Sequence, residues 1–189
     1  MATANTFVAG ALALSPGSGA VPIVVALVFV VHTWMGILVG IARRRYGVPY
    51  PTMYAVPGTP RHYAPTKDKS EAGGLGGATA ASALTGAPQA ELITAEEAYA
   101  FNCVQRGHQN TVENLPAVLA MLLVCWLTFP AYAGGCGAIW VAGRVLYMLG
   151  YSRGAETRMW GAIAYVGLFG LLALTIASGV FLFQQKAAY

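Results

Sequence analysis

The segment Phe101 to Pro116, FNCVQRGHQNTVENLP, places polar side chains in a predicted helix that is otherwise apolar enough to lie in a membrane. The segment runs into the apolar stretch LPAVLAMLLVCWLTF. On a helix, Arg106, Asn110 and Glu113 are spaced i, i+4 and i+7, so they share one face. Polar groups collected on one face of a lipid-embedded helix are costly unless they face protein or water, and by default they mark a functional site. The segment therefore predicts both a membrane fold and the position of its site.

The composition places the chain among membrane proteins of one compact domain. Of its 189 residues, 57% are hydrophobic and 10% are charged, whereas soluble domains carry about 25% charged residues. The formal net charge is +4, and no basic run is interleaved with aromatic residues, which argues against nucleic acid as a partner. The three cysteines lack metal-ligand spacing, so we expect small core residues, with neither a disulfide framework nor a metal site.

Four apolar helical segments are predicted. The first contains about 22 apolar residues, or ~33 Å at 1.5 Å per residue, enough to cross the hydrocarbon core of a bilayer. The predicted fold class is therefore an all-α integral membrane protein, a four-transmembrane-helix bundle. An uncharged tail of residues 1–19 precedes a membrane domain of residues 20–186, whose predicted spans are 20–42, 95–129, 132–152 and 158–183.

The second predicted helix has a defined N-terminus and is longer than the bilayer core is thick. Thr94 and Glu97 form a capping-box pattern at its first turn. Its length of roughly 50 Å exceeds the bilayer core, so its start should project from the membrane. Pro116 is predicted to kink it, because proline lacks a backbone donor. Before this helix lie a Pro- and Tyr-rich stretch, expected to be ordered at the interface, and a low-complexity flexible loop of residues 66–92.

Charge placement predicts the topology. Four spans put both termini on one side of the membrane, and basic residues crowd the connections on the other side. Because cytosolic loops carry the excess of Lys and Arg, we expect these connections to face the cytosol. The basic residues concerned are Arg43, Arg44, Arg45, Arg153 and Arg158.

The third helix contributes a second polar face. Arg144, Tyr147 and Tyr151 are spaced i, i+3 and i+7 and therefore share one side of that helix. The second helix enters from the cytosol with its polar face first, and the third helix leaves toward the cytosol. We therefore expect the two polar faces to converge in the cytosolic half of the bundle.

Such a cluster suits a ligand with several carboxylates and an amine. Arginines clamp carboxylates bidentately, and Glu113 could take an ammonium group. Arg158, near the predicted N-terminus of the fourth helix, would lower the pKa of a nearby thiol and so favour the nucleophilic thiolate. A structural interpretation remains open, in which Glu113 neutralises Arg106 or Arg144 between helices and Arg158 only sets topology.

At these residues the chain resembles the MAPEG family, the membrane-associated proteins of eicosanoid and glutathione metabolism. Three blocks carry the resemblance: ARRRYGVPYPTMYA, FNCVQRGHQNTVENLP and GRVLYMLGYSRGAETR. The pattern R-x-x-x-N-x-x-E in the second block is similar to the glutathione-binding signature of the family. The resemblance implies a homotrimer of four-helix subunits, with glutathione held in a U shape between neighbouring subunits near the cytosolic face.

The resemblance also implies roles for single residues. Arg158 matches the arginine proposed to activate the glutathione thiol, which makes it the catalytic residue. His108 stands where the leukotriene-C synthase branch has a glutamine contact, and Asn114 where that branch has a binding tyrosine. The loop between Arg61 and Ile93 is longer than the usual first loop of the family. The implied glutathione-binding residues are Arg106, His108, Asn110, Glu113, Tyr147 and Tyr151, with Arg43 and Arg44 contributed to a neighbour's site.

The function expected on this basis is a membrane-bound glutathione transferase that also has glutathione-dependent peroxidase activity. Glutathione would be the co-substrate, and a lipophilic electrophile or a lipid hydroperoxide the second substrate, with leukotriene-C-synthase-like conjugation as one form. The expected location is the endoplasmic reticulum membrane, with the mitochondrial outer membrane as the alternative, and the site faces the cytosol. Competing interpretations are a non-enzymatic lipid-presenting scaffold and a structural subunit of a larger membrane complex.

Overall fold

A computed structural model describes residues 16–62 and 91–186. The predicted tail up to residue 15 and most of the predicted low-complexity loop lie outside the described residues. Within the described part the chain is predominantly α-helical, as predicted. Its helices are α1 (Ala20–Tyr46), α2 (Ala95–Trp126), α3 (Pro130–Tyr151) and α4 (Ala164–Lys186), with a 3₁₀ helix (Ala155–Ile163) between α3 and α4.

Local signals account for the ends of the first two helices. α1 continues to Tyr46, so the three arginines fall in its last turn, and Gly47 ends it with φ 69°, a backbone conformation that favours glycine. α2 begins with the predicted capping box. The Thr94 amide donates to Glu97 Oε2 at 2.9 Å, and the Glu97 amide donates to Thr94 Oγ1 at 3.2 Å.

The connection between α3 and α4 differs from the expectation of a helix that opens at residue 158. Residues Ala155–Ile163 form a 3₁₀ helix, and the α-helix starts only at Ala164. Close backbone contact with α3 accounts for this geometry. A Cβ atom added at Gly150 would lie 2.3 Å from the Thr157 carbonyl oxygen, and one at Gly161 would lie 2.3 Å from Tyr147 Cβ. Arg158 therefore lies in the 3₁₀ helix and not at the N-terminus of an α-helix.

Within residues 16–62 and 91–186, three segments are long and apolar enough to cross a membrane: Ala20–Tyr46, Pro130–Tyr151 and Ala155–Gln184. These segments support an integral membrane protein. α2 is not among them, because its N-terminal half carries the acidic first turn and the polar face around Arg106. A fourth span through α2 stays a prediction, as does the position of both termini on one side.

The helices pack around an apolar core that adjoins the polar faces of α2 and α3. α3 and α4 lie against each other, and α1 and α2 both contact α3. Trp140 of α3, Leu122 of α2 and Leu171 of α4 are almost fully buried there. This core holds the four helices together, and its residue Trp140 lies next to the buried Arg144 on α3.

The stretch after α1 is ordered against the start of α2, and two polar side chains hold it. The Arg43 guanidinium donates to the carbonyl oxygens of Thr52 at 2.7 Å and Pro49 at 3.3 Å. Asn102 of α2 accepts from the Ala55 amide at 2.8 Å and donates to the Ala55 carbonyl at 3.0 Å. The backbone of residues 49–55 is therefore fastened to both helices.

The two ends of the undescribed loop are tied together. The Arg61 amide donates to the Glu91 carbonyl at 2.9 Å, and the Ile93 amide donates to the Thr59 carbonyl at 2.9 Å. The Arg61 side chain, 6% exposed, hydrogen-bonds the Glu97 carboxylate, and this bond raises the pKa of the Arg61 guanidinium. Residues 59–61 and 91–93 thus form a closed stem at the base of the loop.

Candidate functional site

The polar face of α2 carries an exposed ion pair. Arg106 Nη1 lies 3.5 Å from Glu113 Oε1, and the two side chains are 48% and 44% exposed. The same guanidinium nitrogen donates to the Tyr54 hydroxyl at 3.5 Å. An exposed ion pair contributes about 0–1 kcal/mol to stability, so structural need alone does not account for these charges. Both groups remain open to a ligand or a neighbouring subunit.

A buried arginine lies behind this face. Arg144 of α3 is 4% exposed. Its Nε and Nη2 donate to Thr111 Oγ1 at 3.0 and 2.7 Å, and its Nη2 also donates to Asn110 Oδ1 at 2.9 Å. The alternative in which Arg144 pairs with Glu113 is wrong. Asn110 and Thr111 are the residues of α2 that face Arg144, and Glu113 pairs with Arg106 instead. The buried cation is held by neutral oxygens.

Sequence reasoning missed Thr111 as the main partner of this arginine. Thr111 is 2% exposed, and its hydroxyl donates to the Gly107 carbonyl at 3.2 Å. Its proton is thereby used within α2, and its lone pairs are left for Arg144. In the sequence, Thr111 is visible only as a threonine between Asn110 and the apolar half of α2. Its position does not show that α2 is rotated so that this hydroxyl faces α3.

The two tyrosines of α3 lie together, as their spacing predicts. The ring centroids of Tyr147 and Tyr151 are 5.3 Å apart, and the Arg144 guanidinium lies 4.5 Å from the Tyr147 ring centroid. Gly107 allows α2 to approach this face closely. A Cβ atom there would lie 2.7 Å from Met148 Sδ and 3.6 Å from Tyr151 Cβ. The absence of that side chain brings Arg106 alongside Tyr151.

An open cleft of about 310 Å³ lies where these elements meet. Arg106 and Tyr151, which belong to separate blocks of sequence, both line it. Its remaining walls come from the stretch after α1, the first turns of α2 and the first residue of the 3₁₀ helix. The lining residues are Tyr54, Tyr99, Asn102, Cys103, Arg106, Tyr151 and Ala155. The cleft presents the Arg106 guanidinium and the hydroxyls of Tyr54 and Tyr151, which suit a polar ligand that carries carboxylates. The third hydroxyl, that of Tyr99, accepts a hydrogen bond from the Ala155 amide.

Other residues implied by the resemblance lie outside the cleft lining. His108 stacks on His32 of α1 with ring centroids 5.0 Å apart, so its ring faces α1. Arg43 is buried and bound to loop carbonyls, whereas Arg44 is exposed at the end of α1. Arg158 is exposed on the 3₁₀ helix. The side chains of Arg44 and Arg158 are therefore open to a ligand or to another protein surface.

Asn114 has a local role. Its side-chain amide donates to the Asn110 carbonyl at 2.8 Å.

Within residues 16–62 and 91–186, no group of three or more His, Cys, Asp or Glu side chains is placed to hold a metal ion. Cys103, Cys125 and Cys136 are free thiols, two of them buried.

Comparison with known proteins agrees with this arrangement. The chain is 31% identical over 99 residues to human microsomal glutathione S-transferase 2. The aligned part covers 52% of this chain and 60% of that relative, so the similarity spans less than two thirds of the relative's length. The sequence profile of the MAPEG family matches residues 21–180, which is most of the chain and covers all of α2 and α3 and most of α1 and α4. With its polar faces, its cleft and this match together, the chain belongs to the MAPEG family.

Proposed function

We propose that this protein is a membrane-bound glutathione transferase that also reduces lipid hydroperoxides with glutathione. The observation that carries the proposal is the shared cleft of Arg106 and Tyr151, two residues from separate blocks of sequence that the family resemblance implies as glutathione ligands. Similarity to a protein named microsomal glutathione S-transferase 2 supports the same class of activity. Within the family we place the chain nearest to type 3 microsomal glutathione S-transferase, on the three blocks of sequence that resemble it.

In the proposed complex, glutathione is bound by opposite charges. Arg106 pairs with a glutathione carboxylate, and Glu113 takes the ammonium group. The existing separation of 3.5 Å between these two side chains is that of a weak exposed pair, which a zwitterionic ligand can replace at small cost. Asn110, Tyr147 and Tyr151 supply hydrogen-bonding groups around the tripeptide.

A homotrimer accounts for the ligands that lie outside the cleft. Two charged side chains on a helix of a membrane protein are nearly half exposed in the single subunit, a costly arrangement unless protein or water covers them. In the proposed trimer a neighbouring subunit covers them and contributes Arg44. The buried guanidinium of Arg43 then serves chiefly to shape the loop that carries Tyr54.

The proposed reaction begins with ionisation of the glutathione thiol. Arg158 stabilises the thiolate, and the thiol proton passes to solvent. In conjugation the sulfur attacks an electrophilic carbon of a lipophilic substrate that enters from the bilayer. A carbon–sulfur bond forms, and the group displaced from that carbon takes the electron pair of the broken bond and a proton from solvent. In the peroxidase reaction the sulfur attacks the terminal peroxide oxygen, the O–O bond breaks, and the lipid alkoxide takes a proton to become an alcohol. A second glutathione then converts the resulting sulfenic acid to glutathione disulfide and water.

The proposed location is the endoplasmic reticulum membrane, with the site at the cytosolic face. Three arginines end α1, and Arg153 and Arg158 lie in the connection between α3 and α4. The positive-inside rule makes the side of these residues cytosolic. The mitochondrial outer membrane would present the same face to the cytosol and is the alternative.

An ultraviolet difference titration of the detergent-purified protein with glutathione tests the proposal. We expect a saturable thiolate absorbance near neutral pH, and we expect Arg106→Ala to lose it through weaker binding. Tyr132→Phe, which changes an exposed tyrosine at the start of α3, is the matched control and should behave as wild type. No thiolate signal and no heat of binding in the wild-type protein would instead favour the lipid-presenting scaffold or the structural subunit.

A further inference from the structure

Tyr99 links α2 to the segment that carries Arg158. The Ala155 amide donates to the Tyr99 hydroxyl at 3.0 Å. Ala155 is the first residue of the 3₁₀ helix, and Gly154 before it makes no side-chain capping bond. The first amides of any helix lack partners within that helix. The tyrosine hydroxyl, supplied from 56 residues away, therefore does what a capping side chain does elsewhere.

The rest of the 3₁₀ helix is fastened to α3. The Thr157 hydroxyl donates to the Gly150 carbonyl at 2.6 Å and to the Gly154 carbonyl at 3.0 Å. Gly161 lies against Tyr147 with no room for a side chain. These contacts hold the segment to α3 but leave its distance from α2 to be set by other contacts. The hydrogen bond from Ala155 to Tyr99 spans that gap.

The location of this bond connects two parts of the proposed site. Tyr99 and Ala155 both line the cleft that contains Arg106. Arg158 follows Ala155 by three residues, which is one turn of a 3₁₀ helix, so the two residues lie on the same side of the segment. A shift of Ala155 relative to α2 would therefore move Arg158 relative to whatever Arg106 holds.

We propose that Tyr99 is a positioning residue, whose hydroxyl sets the distance between the Arg158 guanidinium and a thiol held in the cleft. The inference rests on the proposed function and adds a residue to it. Electrostatic stabilisation of a thiolate falls as its distance from the cation grows, and small misplacements of catalytic groups are costly in rate. Binding through Arg106 on α2 does not depend on this bond. Loss of the Tyr99 hydroxyl should therefore impair catalysis and spare affinity.

The test compares Tyr99→Phe with wild type in the intact membrane protein. We expect the dissociation constant for glutathione to stay within about twofold, while the midpoint of the thiolate titration moves to higher pH. We also expect kcat to fall roughly fivefold to tenfold with KM unchanged, the size of one lost hydrogen bond. Tyr54→Phe removes another hydroxyl from the same cleft but one that Arg106 contacts, so it should change affinity instead.

A second variant addresses the donor. Ala155→Pro removes the amide and keeps the tyrosine. Proline is tolerated at the first position of a helix, and Gly154 precedes it with ψ 158°, in the range that residues before proline adopt. Ala155→Pro should shift the thiolate midpoint as Tyr99→Phe does, and the double variant should shift it no further.

The outcomes separate this inference from the proposed function. A wild-type protein without a thiolate signal would overturn the proposed function itself. A wild-type signal with unchanged midpoints in both variants would overturn the role of Tyr99 alone. Equal losses of glutathione affinity and of thiolate formation in Tyr99→Phe would also overturn the role of Tyr99, because a general structural defect would lower both. If Tyr99→Phe fails to fold, Ala155→Pro decides by the same criteria.

Discussion

Thr111→Val should destabilise the protein through the buried arginine. Valine matches threonine in shape but has no oxygen. The Arg144 guanidinium, 4% exposed, would lose an acceptor that receives two of its bonds, at 3.0 and 2.7 Å. Its bond to Asn110 Oδ1, at 2.9 Å, would remain. A buried charge that loses a partner keeps the cost of its own desolvation.

The expected magnitude follows from the two lost bonds. A hydrogen bond to a charged group contributes about 1.5–3 kcal/mol, but pairs measured within membranes average nearer to 0.6 kcal/mol. Two bonds that share one oxygen should then contribute about 2 kcal/mol together. For a chain of this size, such a loss lowers Tm by roughly 4–8 °C.

Thermal unfolding in detergent, followed by tryptophan fluorescence, measures this loss. Trp140 is a local reporter, because its ring centroid lies 5.9 Å from the Arg144 guanidinium. Thr175→Val is the matched control. Thr175 lies in α4, and its hydroxyl donates to the Leu171 carbonyl at 2.8 Å and lies 3.4 Å from Cys125 Sγ. Because these partners are neutral, its loss should cost about 0.6 kcal/mol.

A double-mutant cycle then isolates the pair. Once Arg144→Met has removed the charge, Thr111→Val should cost almost nothing, because no buried donor is left without an acceptor. Equal Tm values for Thr111→Val and Thr175→Val, or an undiminished cost in the Arg144→Met background, would refute the reasoning.

Three further predictions concern the site and the loop. Arg158→Ala should abolish thiolate formation and leave the glutathione dissociation constant nearly unchanged in calorimetry; turnover near the wild-type rate would show that the catalytic assignment is wrong. Glu113→Gln should weaken glutathione binding roughly tenfold, since it removes a charged partner of the ammonium group; unchanged affinity with a destabilised oligomer would favour the structural interpretation of the polar face. Replacement of residues 63–90 by a short Gly-Ser linker should leave Tm within a few degrees of the wild-type value. The stem at Arg61 and Glu91 already holds the loop ends together, and the entropy of loop closure depends only weakly on loop length. A large fall in Tm would show that the loop itself stabilises the helical part of the protein.

Much of the fold was predictable from local sequence. The capping box at Thr94 marks the start of α2 as predicted, since both of its hydrogen bonds are made within four residues. The spacing of Tyr147 and Tyr151 predicts that their rings meet, and they do. The capping box and the contact between the two tyrosine rings each involve residues less than two helical turns apart. Their positions in the sequence are therefore enough to predict them.

The partners of the charged residues were less predictable. Glu113 was an equally good candidate for Arg106 and Arg144 by spacing, and the rotation of α2 against α3 selects Arg106 and leaves Arg144 to Thr111. That rotation depends on the close approach at Gly107. A helical pattern shows which residues share a face, but it does not show how far that face is turned toward its neighbour.

Composition, periodicity and family blocks can all be read along the chain, so they identify a helical membrane protein of the MAPEG family with a polar face on its second helix. The 3₁₀ helix around Arg158 and the contact of Tyr99 with Ala155 follow only from the tertiary structure, because they depend on close backbone packing and on residues far apart in sequence. The bonds from Arg43 to the loop after α1 likewise depend on how that loop folds back on the helix. Such contacts form only once the helices and the loop have packed.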